Sequence, residues 1–251
     1  MDLIEPLKKA LEIKKIVTRD NKRKYYRLVR PGRWYGGIAT ADCCGCNLKC
    51  VFCWSNKPRD NPEKIGEFYE PEYVAEKLKR CAEEHNYRYV RISGNEPTIF
   101  REHLISILSI IEKTKFVFIL ETNGTVLDSD YIKELVQYKN LHIRISLKGT
   151  TKEEFSMLTG AQPETFNTIL DNLSFLANTQ LSFNLAVMLS FSPDKNIIQF
   201  KERLQKISKK ILNDFEEEYV FLYPPVIKRL RRSGIKPLVA YNPDGIPEKF
   251  V

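Results

Sequence analysis

The feature that most restricts what this chain can fold into is an alternation that begins near residue 34. Short runs rich in β-branched and aromatic residues are 35-YGGIATA-41, 88-RYVRIS-93, 115-KFVFIL-120, 141-LHIRIS-146, 181-LSFNLAVML-189 and 218-EYVFLY-223. Longer amphipathic stretches separate them, at 71–84, 100–113, 128–138, 164–178 and 195–213. A strand followed by a helix of this length returns the next strand parallel to the first, so the pattern predicts βα units on a parallel sheet. In the fourth helix Phe166, Ile169, Leu170, Leu173 and Leu176 recur at helical spacing and mark a buried face. Pro71 and Pro163 stand near helix starts, where a missing N–H costs little. Asp128 and Asp194 suit N-caps or first turns.

Six strands and five intervening helices describe an α/β protein, a partial (βα)6 barrel of parallel strands over 34–223. Residues 1–33 are expected as an N-terminal appendage. Residues 224–251, with Pro224, Pro225, Pro237 and Pro243, are expected as an irregular C-terminal tail. No linker or low-complexity tract demands a second domain.

Forty basic residues against thirty-two acidic ones give a net charge of +8. The excess gathers in Lys22-Arg23-Lys24 and in 228-KRLRR-232, which suits either a polyanionic partner such as RNA or a basic surface with no nucleic-acid role. No apolar run approaches the roughly 20 residues of a membrane span, and the start MDLIEPLKKALEIKK has no apolar signal core. The expected location is the cytoplasm, with no membrane partner. Thiols stay reduced there, so clustered cysteines point to metal or catalysis rather than to disulfides.

Five of the six cysteines fall in 43-CCGCNLKCVFC-53. Zinc usually takes four ligands, often from two knuckles; here there is no second knuckle, and His85, His103 and His142 lie on predicted helices or strands. A four-iron cluster normally takes four thiolates, so Cys46, Cys50 and Cys53 alone would leave one iron open for chemistry. Cys43 or Cys44 could supply a fourth ligand, or both are small buried residues where the first strand enters the loop. Cys81 shares an apolar stripe with Val74 and Leu78 and suits a helix core.

The pattern C-x3-C-x-aromatic-C, with Phe52 as the aromatic, resembles the signature of the radical SAM enzymes. The resemblance covers roughly 38–190. It implies that Cys46, Cys50 and Cys53 hold a [4Fe–4S] cluster whose fourth iron takes S-adenosylmethionine. An external donor of ferredoxin or flavodoxin type would supply the electron that yields a 5′-deoxyadenosyl radical, which abstracts hydrogen from substrate. The loop 93-SGNEPTIF-100 resembles the family's GGEP motif, so Gly94, Asn95, Glu96 and Pro97 would hold the S-adenosylmethionine amino group; Asn95 replaces the usual glycine at a place where Asn tolerates left-handed backbone. The loop 121-ETNGT-125 is similar to that of the pyruvate formate-lyase activating enzyme branch, which implies cofactor contacts from Glu121 and Asn123. In 146-SLKGT-150, Ser146 stands where that branch has an acid, and Lys148 would reach a carboxylate. Trp54 would cover the cluster or touch adenine, and Met188 and Ser190 would face the same opening. The segment 154–176 also resembles activating-enzyme-like proteins.

No cysteine follows Cys81, so an auxiliary cluster is not expected and simple hydrogen abstraction is the most economical chemistry. The expected substrate is a protein glycyl site or a small molecule. Two alternatives are an RNA-modifying radical SAM enzyme, through Lys228, Arg229, Arg231 and Arg232, and a non-catalytic iron–sulfur electron-transfer protein.

Overall fold

The computed structural model describes residues 3–245 and Pro247. Helix α1 (Pro6–Val17) leads into a short β1 (Thr18–Arg19) and an eleven-residue β2 (Lys22–Gly32). Strand β3 (Ile38–Cys43) carries the chain into the cysteine loop, followed by α2 (Asn56–Asp60), β4 (Glu67–Tyr69) and α3 (Pro71–Glu84). The alternation then runs β5 (Tyr89–Ser93), α4 (Arg101–Ile111), β6 (Val117–Thr122), α5 (Ser129–Leu135) and β7 (Leu141–Leu147). It continues through α6 (Lys152–Thr159), α7 (Thr165–Ala177), β8 (Ser182–Met188), α8 (Asp194–Ile207), α9 (Lys210–Asn213) and β9 (Glu216–Glu218). Beyond it lie β10 (Val220–Phe221), α10 (Pro224–Ser233) and β11 (Ala240–Tyr241).

Strands β3, β5, β6, β7, β8 and β9 are neighbours in that order and all pair in parallel. This is the expected partial βα barrel. Successive side chains on a strand point to opposite faces. Val90 and Ile92 on β5, and Ile143, Ile145 and Leu147 on β7, face the helices and are buried in the core with Phe166, Ile169 and Leu173 of α7. The alternate positions are polar yet also buried: Thr40, Asp42, Arg91, Ser93, Arg144 and Ser146. The barrel therefore has an apolar outside and a polar lumen.

Three expectations are corrected. Residues 1–33 are no mere appendage, because β2 pairs antiparallel with β3 and carries β1 and β4 on its other side. α1 packs Ala10, Ile13 and Val17 against Cys44 and Ile99. The dense charge of 22-KRKYYR-27 hides this strand, since Arg23 is only 1% exposed and Lys24 7%; the run is not a solvated basic patch. The C-terminal region is not irregular where it is described, and its residues 246 and 248–251 lie outside the described residues. Pro224 and Pro225 occupy the first turn of α10, where their missing N–H groups are harmless, and Gly234 caps it at φ 70°. The strand expected at 218–223 is two pieces: β9 closes the main sheet, while β10 pairs with β11.

Candidate active site

Every loop singled out from the sequence leaves the C-terminal end of a parallel strand, where barrels of this kind gather their chemistry. Hydrogen bonds join these loops. Asn95 accepts from the Gly45 backbone N–H at 2.9 Å and donates to the Ser55 carbonyl at 3.2 Å, so one side chain bridges the two ends of the cysteine loop. The left-handed backbone here belongs to Gly94, at φ 90°, and not to Asn95. A Cβ on Gly94 would lie 2.8 Å from the Tyr26 ring. The Glu96 carboxylate, 2% exposed, accepts from the Thr98 hydroxyl at 2.6 Å, the Thr122 hydroxyl at 2.7 Å and the Asn123 N–H at 2.8 Å. It locks the Gly94–Pro97 loop to the end of β6. Asn123 in turn donates to Asn47 Oδ1 at 2.9 Å and reaches Cys46 Sγ at 3.8 Å.

Two arginines invisible to motif reading hold these loops. Arg23 of β2 donates to the Glu96 carbonyl at 2.6 Å, the Pro97 carbonyl at 2.9 Å and Cys43 Sγ at 3.4 Å. Arg59 of α2 donates to the Cys50 carbonyl at 2.7 Å.

Cys43 and Cys44 are fully buried at the end of β3, and Cys44 donates to the Ile65 carbonyl at 3.4 Å. Cys81 is buried on α3. Burial pushes the Cys46 thiol well above the usual range and Cys50 up to about 11; Cys50 and Cys53 add to the rise at Cys46, Cys53 adds to that at Cys50, and Lys148 pulls Cys50 back. Such thiols stay protonated at neutral pH unless a metal takes the proton's place. Among the described residues no three His, Cys, Asp or Glu side chains are close enough to hold one metal ion. Three thiols on one loop are a donor set of the kind that iron–sulfur clusters take. The Leu48 N–H, 3.5 Å from Cys46 Sγ, adds a donor to sulfur of the kind that tunes such clusters.

Beside the loop the lumen opens as a cavity of about 730 Å³. Phe52, Trp54, Glu121, Lys148 and Met188, all singled out from the sequence, line it with Arg91, Arg144 and Tyr35. Met188 is buried, Phe52 stacks at a tilt 5.8 Å from Phe191, and Trp54 is 49% exposed. Glu121 accepts from Arg91 at 2.5 Å and from the Ser93 hydroxyl at 2.9 Å. Burial raises its carboxyl, but Arg91 and Arg144 outweigh that and hold it below the usual carboxylate range. Asn95 and Asn123 bond to the cysteine loop instead, and the Glu96 N–H donates to the Gly45 carbonyl at 3.1 Å, while Gly94 and Pro97 complete the same turn.

Ser146 and Lys148 meet an acid that local reading does not find. Ser146 donates to Glu218 Oε2 at 2.7 Å, and Lys148 lies 3.3 Å from the same oxygen while also donating to the Ser146 hydroxyl. Glu218 sits on β9, on the far side of β8, so the acid missing from position 146 is supplied across the sheet. Arg144 pairs with Glu218 at 2.9 Å and with Glu216 at 2.5 Å. Burial opposes ionisation of Glu218, but Lys148 and Arg144 bring it down to about 2. A signal for this lumen was present: parallel strands covered on both faces are normally apolar throughout, and VRIS, HIRIS and EEE are not.

The family model for the radical SAM superfamily matches residues 42–204, well over half of the chain. This chain belongs to the radical SAM superfamily. Radical SAM enzymes use a [4Fe–4S] cluster and S-adenosylmethionine, and they need an electron donor. Over 191 residues the chain is 27% identical to a probable GTP 3′,8-cyclase of Methanosarcina acetivorans, covering 74% of this chain and 55% of that protein. It is 25% identical over 169 residues to an uncharacterized protein of Methanocaldococcus jannaschii, covering 64% of this chain and 39% of that one. The chain thus spans about half the length, or less, of these curated relatives. SuiB of Streptococcus suis bound to S-adenosylmethionine is similar in fold, with TM-score 0.57 and 18% identity over 78% of this chain and 42% of SuiB. Among the described residues no helix is long and apolar enough to cross a membrane.

Proposed function

We propose that this radical SAM chain is a single-cluster enzyme that abstracts hydrogen from a small polar molecule held in the barrel lumen. The observation that carries the reading is the convergence of the loops after β5 and β6 on the cysteine loop, at the edge of a cavity of about 730 Å³ lined by charged and aromatic side chains. Bound there, the cluster and S-adenosylmethionine supply one-electron cleavage of the sulfonium and a radical able to abstract hydrogen.

Cys46, Cys50 and Cys53 hold the cluster in this reading. The carbonyls of Gly94 and Asn95 accept from the amino group of S-adenosylmethionine, since those of Glu96 and Pro97 are held by Arg23; Lys148 meets its carboxylate, and Glu121 and Asn123 accept or donate at its remaining polar atoms. Phe52, Trp54 and Met188 offer apolar surface to the adenosyl end. Glu96 acts by fixing its loop, since its carboxylate oxygens are already committed to Thr98, Thr122 and Asn123.

A small-molecule substrate suits the lumen better than a protein glycyl site. Its charges come as buried or half-buried pairs, Arg91 with Glu121 and Arg144 with Glu218. Such pairs seldom contribute net stability over apolar packing, so their retention is accounted for by a ligand that carries both donors and acceptors. The ETNG loop keeps the activating-enzyme likeness, and Glu218 restores an acid beside Lys148. Reduced thiols and a protein electron donor fit the cytoplasm.

The test is anaerobic electron paramagnetic resonance of the reconstituted, reduced protein with and without S-adenosylmethionine, followed by assay of 5′-deoxyadenosine. A cluster signal that changes with S-adenosylmethionine, together with nucleoside release, is the expected result. A signal indifferent to S-adenosylmethionine would mean a fourth protein ligand and an electron carrier instead.

A further inference from the structure

Helix α10 lies beyond the stretch matched by the family model, yet it touches the cysteine loop. Its Arg229 donates through Nε to the Val51 carbonyl at 3.1 Å and through Nη2 to the carbonyl of Cys53. Val226 and Leu230 are buried with Leu158, Met188 and Phe191, and Val51 and Phe52 of the loop pack on the same group. With 226 and 230 inward, Lys228, Arg231 and Arg232 are all exposed. Their i, i+3, i+4 spacing puts them on one stripe of the helix.

Helices α3 and α5 differ in pairing surface cations internally, as in Lys79–Glu76, Arg80–Glu84 and Lys133–Asp130. α10, PPVIKRLRRS, contains no acid, and among the described residues the side chains of Lys228, Arg231 and Arg232 have no hydrogen-bond or ion-pair partner. Like charges at this spacing destabilise a helix, so the stripe is an intramolecular cost beside a cluster ligand. Burial, and to a smaller extent the nearby Arg59 of α2, disfavours the charge of Arg229, and α2 adds the exposed Lys57.

We propose that the outward face of α10 is the docking site of the acidic protein that delivers the electron to the cluster. The inference rests on the single-cluster reading above. In the encounter the donor is oxidised by one electron and the cluster is reduced by one; no covalent bond forms or breaks. Electron-transfer encounters use small, charge-steered interfaces, which a short stripe of cations matches. RNA is the weaker occupant, because Arg229 is turned inward and three cations neutralise few phosphates.

The experiment uses the full chain with its cluster reconstituted, mixed with flavodoxin hydroquinone while the visible cluster absorption is followed. Reversing the stripe, Lys228→Glu/Arg231→Glu/Arg232→Glu, is expected to lower the bimolecular rate about tenfold or more at low salt and to abolish its salt dependence. Reduction by uncharged, photoexcited 5-deazariboflavin should not change. Reversal of Lys113, Lys115 and Lys139, exposed before the starts of β6 and β7, should leave both rates unchanged. Should the reversed protein fail to fold, Lys228→Gln/Arg231→Gln/Arg232→Gln is expected to show a smaller loss of the same kind. An unaltered flavodoxin rate, or equal slowing with deazariboflavin, overturns the docking site alone. So does salt-sensitive binding of an RNA transcript that the reversal removes while the flavodoxin rate stands. A chain that acquires no iron–sulfur absorption overturns the single-cluster reading and this inference with it.

Discussion

The two faces of β7 are equally dry and chemically opposite. Ile143, Ile145 and Leu147 meet the helices at 0% exposure, while Arg144 and Ser146 face the lumen at 8% each. The outer set is held by packing, which any apolar residue of similar shape would supply. The inner set is held by charge: Arg144 to Glu216 and Glu218, and Ser146 to Glu218. Outer residues make the barrel, and inner residues make it useful at some risk to stability.

The widest separation between fold and chemistry should come from Cys50→Ala. Cluster iron and visible absorption should fall away and 5′-deoxyadenosine formation should drop below detection. Thermal unfolding of the cluster-free protein should barely move, since one buried sulfur is lost. A large loss of stability in the cluster-free state would show the loop to be part of the core.

The next comparison sets the two faces against each other. Ile145→Ala should cost about 3 kcal/mol through the cavity it leaves, read by denaturant titration. Arg144→Met should cost a similar amount, about 3 kcal/mol, because Glu216 and Glu218 lose the nearer cation and Glu218 keeps only Lys148 at 3.3 Å. Adding Glu218→Met to Arg144→Met should recover most of that loss, whereas no second substitution on the lumen face should rescue Ile145→Ala. Failure of the double variant to recover would mean the lumen pairs contribute net stability.

Acid separates two further regions. Burial holds His103, between Tyr25 and the Asn21 carbonyl, down at about 4. The unfolded chain takes up this proton near pH 6.5 and the folded chain only near pH 4, so in that window the unfolded state binds more protons and stability rises with pH. The contribution, about 3 kcal/mol, is complete above pH 6.5 and gone below pH 4. His103→Gln should flatten that window in a pH series of unfolding measurements. Glu218, held at about 2, acts lower: its contribution is complete above pH 4.5 and is lost as pH falls towards 2.

The smallest effect is expected at Asn95. Asn95→Gly restores the family's usual residue but removes the bridge between Gly45 and Ser55. Losing hydrogen bonds of this kind costs about 1 kcal/mol, so S-adenosylmethionine affinity should fall about fivefold with cluster content unchanged. An unchanged affinity would show that the loop ends are held by backbone alone.

How much of this was readable beforehand follows distance along the chain. The spacing of Cys46, Cys50 and Cys53, the GNEP and ETNG loops, and the helical periodicity of Phe166 to Leu176 all lie within a few turns or one strand end, and local chemistry dictates them. α10 was hidden because its prolines signal irregularity unless they are known to occupy a first turn, and β2 because its charges mask a buried side.

The sequence by itself determined the βα alternation, the three-cysteine loop and which strand ends bear polar motifs, because period, turn chemistry and ligand spacing are short-range properties. Only the tertiary structure decided that Glu218 replaces the acid absent at Ser146, that Arg23 holds the carbonyls of Glu96 and Pro97, and that Arg229 holds that of Cys53. Charges attract at whatever separation the fold imposes, and closing a long loop costs little more entropy than closing a shorter one. Partners 72, 73 and 176 residues apart therefore leave no local pattern to read.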